Sequence, residues 1–414
     1  MIKFYKILSD ILFIPILMYF ILRLFLSKEN LDSIEEKFFF KKKKRPKGDL
    51  VWINGVSIGE AKTALIIAEQ IKKNYPKSKI LLSTSTITSF RLISKMKKNF
   101  ILIYSPLDIN FIIKRFIRHW KPNSTIFIES EIWPNIFFEL KKNYIKLILV
   151  NARISKKSFI NWMKLKYFAK IVFKQISECF VQDNDSLKRF KLLGVEEVKK
   201  IENIKFLSER LDYDKKTYNL LKNKLKGKRI VTLFSSHNGE EEIMLNCFME
   251  LSNKISNLFI IIIPRHLDRL GKITEVFEKR RVSYQVGSSD NKIINKKNFL
   301  IVNTFGQLGL FFKLSEIALV GGSFTNFGGH NPIETKGFEC SLIFGKYMQN
   351  FKDVKDQIIK KKAGLEARDS KQLNEQLKKL LNNENLRIKT YTNFKKLCDD
   401  ESRNSKLILN EIFK

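Results

Sequence analysis

The sequence predicts an α/β protein of two doubly wound halves, each a mainly parallel sheet flanked by helices, preceded by an apolar membrane segment. Three observations carry this reading. From residue 50 the chain alternates short β-rich runs with amphipathic stretches; the alternation restarts after a lysine-rich interruption at 207–228; and the chain opens on an apolar run of about 20 residues, enough for ~30 Å of helix. With 414 residues, 44% hydrophobic and 29% charged, it has apolar material for two or three cores at about 150 residues per domain, unlike a disordered chain.

The elements follow in order. Residues 7–26, ILSDILFIPILMYFILRLFL, are apolar except where Asp10, Pro15 and Arg23 interrupt them, and no small-residue cleavage site follows, so this segment, the anchor at 1–28, is expected to be retained. The basic tract beyond it, Lys37 and then Lys41, Lys42, Lys43, Lys44, Arg45 and Lys47, predicts an anionic phospholipid surface as partner and a chain lying on the cytoplasmic side of its membrane. Asp10 and Pro15 leave both a spanning and an interfacial helix open. A first domain at 29–206 rests on the runs LVWIN, KILLSTST, FILIYSP, TIFIESE and KLILVNA; 207–228 reads as a linker. A second domain at 229–390 rests on RIVTLFSS, LFIIIIPR, FLIVNT, EIALVGGS and CSLIFG, and 391–414 has helical periodicity alone. Sheets of this kind bind ligands at the carboxyl ends of their strands, so two such halves predict a cleft between them and place the informative residues in the turns after strands.

The 77 Lys and Arg against 42 Asp and Glu give a net charge of +35. Such a charge selects an anionic partner: phospholipid, a phosphorylated substrate or nucleic acid. No aromatic RNP-type motif is present, so nucleic acid is not expected. A basic tether without catalysis would account for the charge but not for the glycine turns and acidic motifs described next. Cys179, Cys247, Cys340 and Cys398 have no CxxC spacing, and His119, His237, His266 and His330 are scattered, with no HExxH or acidic calcium loop. These patterns predict no metal site, no disulfide framework and no resident cofactor.

Glycine is scarce, 17 of 414, so its clusters are informative. The densest, Gly321-Gly322-Ser323 to Gly328-Gly329-His330, leads into Asn331-Pro332-Ile333-Glu334, which reads as a helix start able to receive a phosphate, or equally as a plain capping motif. Pro264 and Arg265 end the most hydrophobic strand of the second half, where the arginine can neutralise a phosphate or simply terminate the strand. In the first half, Gly55-Val56-Ser57-Ile58-Gly59-Glu60 runs from strand into helix and brings Glu60 to the helix start, as a carboxylate base or as a dipole-favouring residue. A second acidic turn, Glu129-Ser130-Glu131-Ile132-Trp133-Pro134-Asn135, ends another strand. Asp183-Asn184-Asp185 has the DxD spacing of metal-using transferases but follows ECFVQD and reads as a helix cap.

Together the stretches SIGE (57–60), ESEIWPN (129–135), NARISKKS (151–158), NIKF (203–206), SHNGEE (236–241), PRH (264–266), GGS with GGHNPIE (321–334) and NF (350–351) resemble the Kdo (3-deoxy-D-manno-octulosonic acid) transferases. They occur in that family's order and span nearly the whole chain. The resemblance implies an inverting, metal-independent glycosyltransferase of the two-Rossmann GT-B fold, with CMP-Kdo as donor and the tetraacylated lipid A precursor as acceptor. It implies Glu60 as general base, Glu131 and Lys205 in transition-state stabilisation, and a CMP site at Pro264, Arg265, Phe305-Gly306-Gln307 and Asn331, Pro332, Ile333 and Glu334. The chain departs from the family pattern at Asn303 and Gln307, where carboxylates are expected, at Asn54, where a histidine is expected, and at Glu202, where a glycine is expected. The altered 303–307 segment keeps open a GT-B transferase using another nucleotide-sugar donor or lipid acceptor.

Overall fold

The computed structural model describes residues 1–95, 100–201, 203–287 and 297–412. The departure at Glu202 lies outside the described residues. The chain forms two compact units, 1–208 with 403–414, and 209–402.

The first unit holds seven strands: β1 (Leu50–Asn54), β2 (Lys79–Thr84), β3 (Ile101–Tyr104), β4 (Ser124–Ile128), β5 (Lys146–Ala152), β6 (Glu178–Val181) and β7 (Val198–Lys200). They form one sheet in the order β3-β2-β1-β4-β5-β6-β7, and every pairing is parallel. Both faces are covered. Along β1, Leu50 and Trp52 join one core with Leu81, Phe127 and Leu149, while Ile53 joins the other with Ile80, Leu82, Ile126 and Ile148. That period of two explains why strands buried on both sides read as nearly unbroken apolar runs. The helix Ile58–Asn74 lays Ala61, Ala64, Ala68 and Ile71 on the second core. Gly55 permits this approach, because a Cβ there would stand 2.8 Å from the Glu60 backbone.

The second unit holds β8 (Arg229–Ser236), β9 (Leu258–Pro264), β10 (Tyr284–Gly287), β11 (Phe299–Val302), β12 (Ile317–Val320), β13 (Ser341–Gly345) and β14 (Leu365–Ala367). Their order is β10-β11-β9-β8-β12-β13-β14, again parallel throughout. In each sheet the strand order reverses beside the first strand, at β1/β4 and at β8/β12, and such a reversal opens a crevice at the strands' carboxyl ends. The segment expected as a linker contains the helix Lys215–Lys224.

The single apolar helix expected at the amino terminus is instead two, Ile2–Ile11 and Phe13–Phe25, bent by 46°, and no single helix among the described residues is long and apolar enough to cross a membrane. Pro15 explains the break. Its ring lacks an N–H and clashes with the carbonyl four residues back, so it is tolerated only in the first turn of a new helix. The polar interruptions are used for docking: Asp10 accepts from Asn110 Nδ2 (2.8 Å) and Phe111 N (3.0 Å), and Tyr5 donates to Asp108 (3.0 Å). One face, including Phe13, Leu17 and Phe20, packs on the first core; the other leaves Phe4, Ile7, Ile11, Ile14 and Met18 exposed.

Candidate active site

The site residues of the first unit gather at its sheet reversal. Glu60 is the third residue of the helix after β1 and closes a capping box: its Oε2 accepts from Val56 N (2.8 Å) and Ser57 N (3.1 Å), while Ser57 Oγ receives Glu60 N. Glu60 thus has a structural role at the helix start. That role occupies one oxygen and leaves Oε1 without a hydrogen bond among the described residues, so cap and base are compatible in one side chain. Burial first, and then the charge of Glu129, push the Glu60 carboxyl above its ordinary range.

Glu131 follows β4 and accepts from Trp133 Nε1 (2.8 Å). Burial, with Glu60 and Glu129 as like charges, raises it to about 7. Lys205 reaches the cluster through Glu129, with Nζ 2.8 Å from Oε1. It sits on the short 3-10 turn Ile204–Leu207, capped by Asn203. Glu129 thus joins the group, although sequence reasoning assigned it no role; its place in the doubled acidic motif ESE was the available signal. It holds a left-handed backbone, φ 60, rare for a residue with a Cβ and characteristic of functional turns. Asn54, at the expected histidine position, is buried and accepts from Ser83 Oγ (2.7 Å) and Ser105 Oγ (2.6 Å), a structural arrangement. Asp183 caps the helix Asn184–Leu193 through Ser186 N (2.6 Å), as its position predicted.

The residues expected to bind nucleotide lie at the carboxyl edge of the second sheet. Pro264 ends β9 and Arg265 follows it, exposed and engaged in no ion pair among the described residues. Its neighbour Arg269, by contrast, is tied to Glu241 (3.1 Å) and the Ser236 carbonyl (3.2 Å). Phe305, Gly306 and Gln307 form the turn between β11 and the helix Leu308–Leu314, with Phe305 and Gly306 exposed and Gln307 half-buried. Asn331 accepts from Ile333 N (3.1 Å), but the helix expected there is only a 3-10 turn, Pro332–Thr335. So short an element has almost no macrodipole, and Pro332 and Ile333 are buried, so only backbone groups and the side chains of Asn331 and Glu334 are available to a ligand. The NF pair acts on the glycine loop: Asn350 N donates to Gly328 O (2.9 Å) and Asn350 Nδ2 to Phe327 O (3.3 Å).

Three of the four histidines read as scattered are brought together. His237, after β8, and His330, in the loop after β12, touch through their Nε2 atoms (2.7 Å), and His266 lies with its ring centroid 5.9 Å from that of His237. Sequence reasoning missed this group because 93 residues separate the two partners. Among the described residues no three His, Cys, Asp or Glu side chains form a group able to hold a metal ion.

Residues 32–208 match the family model of the 3-deoxy-D-manno-octulosonic-acid transferases. A 3-deoxy-D-manno-octulosonic acid transferase of Rickettsia bellii is 34% identical over 94% of both chains. The chain belongs to the Kdo transferase family. It is a glycosyltransferase. The Aquifex aeolicus member is 31% identical over 84% of this chain and 91% of its own, and that of Haemophilus influenzae 32% identical over 77% and 75%. Among solved structures, a glycosyltransferase from Rickettsia africae superposes with TM-score 0.64 at 12% identity, covering 89% of this chain and all of that one. A UDP-GlcNAc 2-epimerase from Neisseria meningitidis gives 0.61, at 12% identity over 88% of this chain and 100% of its own. At such identities the likeness is one of fold, and it agrees with the expected GT-B class of two Rossmann-like sheets.

Proposed function

We propose that this Kdo transferase moves Kdo from CMP-Kdo onto the tetraacylated lipid A precursor (lipid IVA), with inversion, at the cytoplasmic face of the inner membrane during lipopolysaccharide biosynthesis. The observation that carries the reading is the reach of the kinship: it spans 94% of this chain and of the Rickettsia bellii relative, and so includes both the carboxylate cluster and the glycine turns. In this reading Glu60 Oε1 takes the proton of the acceptor hydroxyl as that oxygen attacks the anomeric carbon. Its raised proton affinity makes it a stronger base than an exposed glutamate. Glu131 and the Lys205–Glu129 pair stabilise charge developing at the sugar, and Arg265 with the turns at 305–307 and 331–334 receives the departing cytidylate. Direct displacement needs one base and a stabilised leaving group, so no step is assigned to a metal ion or a resident cofactor. The exposed apolar face of the bent helix pair, beside a basic tract, supports attachment along an anionic phospholipid surface rather than across it.

The test is incubation of purified protein with CMP-Kdo and lipid IVA, followed by mass analysis. The expected product is heavier by a whole number of Kdo units, and an unchanged acceptor mass would overturn the assignment. Glu60→Gln keeps a capping acceptor but loses the base; turnover is expected to fall by roughly 10²–10⁴-fold with CMP affinity retained. Near-normal turnover would remove Glu60 from that role. Asn303 and Gln307 favour a second reading, a different nucleotide-sugar donor, and thermal protection by UDP but not CMP would select it.

A further inference from the structure

Two imidazoles meet where the second sheet reverses its strand order. His237 and His330 have ring planes 7° apart and centroids 5.0 Å apart with Nε2 atoms at 2.7 Å, so the rings lie nearly edge to edge in one plane, the geometry of an N–H···N hydrogen bond. Phe327 covers the face of His237 at 4.2 Å. Gly322, φ +70, is required below them, since a Cβ there would stand 3.2 Å from the Cδ2 of His330 and 3.3 Å from that of His237. Glu240 is buried and accepts from His237 N (2.9 Å), Gly322 N (2.7 Å) and Phe324 N (3.0 Å), so one carboxylate fixes the loops on either side of the pair.

Of the two arginines around the pair, Arg269 is ion-paired with Glu241 and Arg265 is in no ion pair among the described residues. Arg265, Arg269 and His266 face it as cations or potential cations. The nearby carboxylates are already committed, Glu240 to backbone amides and Glu241 to Arg269 (3.1 Å) and Ser236 (2.7 Å). Burial and these cations hold both rings neutral, His237 at about 4 and His330 at about 3. Among the described residues neither Nδ1 has a hydrogen-bond partner. Arg265, without an ion-pair partner among the described residues and beside two neutral, rigidly mounted rings, suits a phosphate whose negative charge grows as its ester bond to the sugar breaks.

We propose that the His237–His330 pair is the proton-accepting part of a phosphate site: as the sugar leaves the donor's phosphate beside Arg265 and that phosphate passes from a singly charged diester to a doubly charged monoester, the pair takes up one proton and stabilises the leaving group. This inference rests on the CMP-Kdo reading above. The proton comes from solvent and adds to Nδ1 of whichever ring donates through Nε2. The histidines form no covalent bond to carbon or phosphorus: the anomeric C–O bond breaks as the acceptor oxygen attacks, the electron pair stays on the phosphate, and the pair becomes imidazole–imidazolium with an N–H free to meet the anion.

The test is calorimetric titration of the full chain with CMP at about pH 7.5, where a phosphate monoester with a second pKa of ≈ 6 is already dianionic, in two buffers of different ionisation enthalpy. Uptake approaching one proton per CMP is expected, and none with cytidine. His237→Asn and His330→Asn should each abolish most of the uptake and weaken CMP by about tenfold while leaving cytidine unaffected. CMP binding to the unaltered protein without proton uptake, or uptake undiminished in both variants, would overturn the inference alone. Failure of the unaltered protein to bind CMP would overturn the donor reading and this inference together. The measurement on the unaltered protein stands even where a variant fails to fold.

Discussion

At the scale of single residues, the site combines groups that sequence exposes with groups that only folding brings together. Glu60 was legible because a two-glycine turn carries the chain directly from a strand into a helix and sets a carboxylate at its start. Its electrostatic surroundings were not, because Glu129 and Glu131 arrive from another strand and Lys205 from 76 residues beyond Glu129. This gathering of like charges has a measurable cost. Glu131 is raised from 4.5 to about 7, so the folded state binds its proton more tightly than the unfolded chain does. Stability is therefore fullest below about pH 4.5 and falls as pH rises towards 7, when a buried carboxylate must ionise beside two others. At 1.36 kcal/mol per unit, the penalty above pH 8 is at most about 3 kcal/mol. Glu131→Gln removes it. The variant is expected to melt higher than the unaltered protein at pH 8, with the difference closing near pH 4, as read by thermal unfolding across that range. A gain independent of pH would show that the charge is not its source.

At the scale of elements, ten strands were legible as apolar runs bounded by turns and an eleventh, β6, as the run ECFVQD before Asn184; β7, β10 and β14 were not. Each of these three lies at the edge of its sheet and has only three or four residues, with exposed or half-buried positions in place of a continuous apolar run. The turn at Asn331 misled in the opposite direction: Asn, Pro and Glu occupy the positions of a helix start, yet the chain makes one 3-10 turn and moves on to β13. The amino-terminal pair shows how polar residues in an apolar run can be read. The helix Asn110–Trp120 has Ile109 at its N-cap position, which has no side-chain acceptor, and the missing cap comes from the first helix, where Ser9 Oγ accepts Asn110 N (3.3 Å) and Asp10 accepts Phe111 N (3.0 Å). Asp10→Ala is expected to destabilise the first unit by about 1–2 kcal/mol, the usual value of a lost cap. Amide exchange should accelerate at 110–113 and along Ile2–Ile11 together. Faster exchange in only one of the two helices would show that they are not coupled through this contact.

At the scale of the whole molecule, the two-sheet plan was visible in the alternation and its restart, whereas the form of the apolar amino-terminal segment was not, because length and hydropathy do not distinguish a spanning helix from a docked one. The bend at Pro15, the docking of Ser9 and Asp10, and the apolar face formed by Ile7, Ile11, Ile14 and Met18 make the helix pair an amphipathic ledge on the first unit. In the membrane attachment proposed above, the chain's charge of +35 would contribute by a different law from that apolar face. Electrostatic attraction to anionic lipid is screened within about 8 Å at physiological salt and within about 3 Å at 1 M, whereas burial of apolar side chains is not weakened by salt. Binding to vesicles containing phosphatidylserine should therefore divide into a fraction released by 1 M NaCl and a fraction that persists. Ile11→Asp with Ile14→Asp should remove the persistent fraction and leave the salt-sensitive one, because both side chains are exposed in the unaltered protein and their replacement leaves the core intact. Replacing Lys41, Lys42 and Lys44 by glutamine should do the reverse, lowering attachment at low salt by about 1 kcal/mol per lysine while the salt-resistant fraction remains. Flotation on sucrose gradients distinguishes the two. Were the protein to stay with vesicles after carbonate extraction at high pH in both sets of variants, the segment would have to span the bilayer, and the bent pair would be a conformation it leaves on insertion.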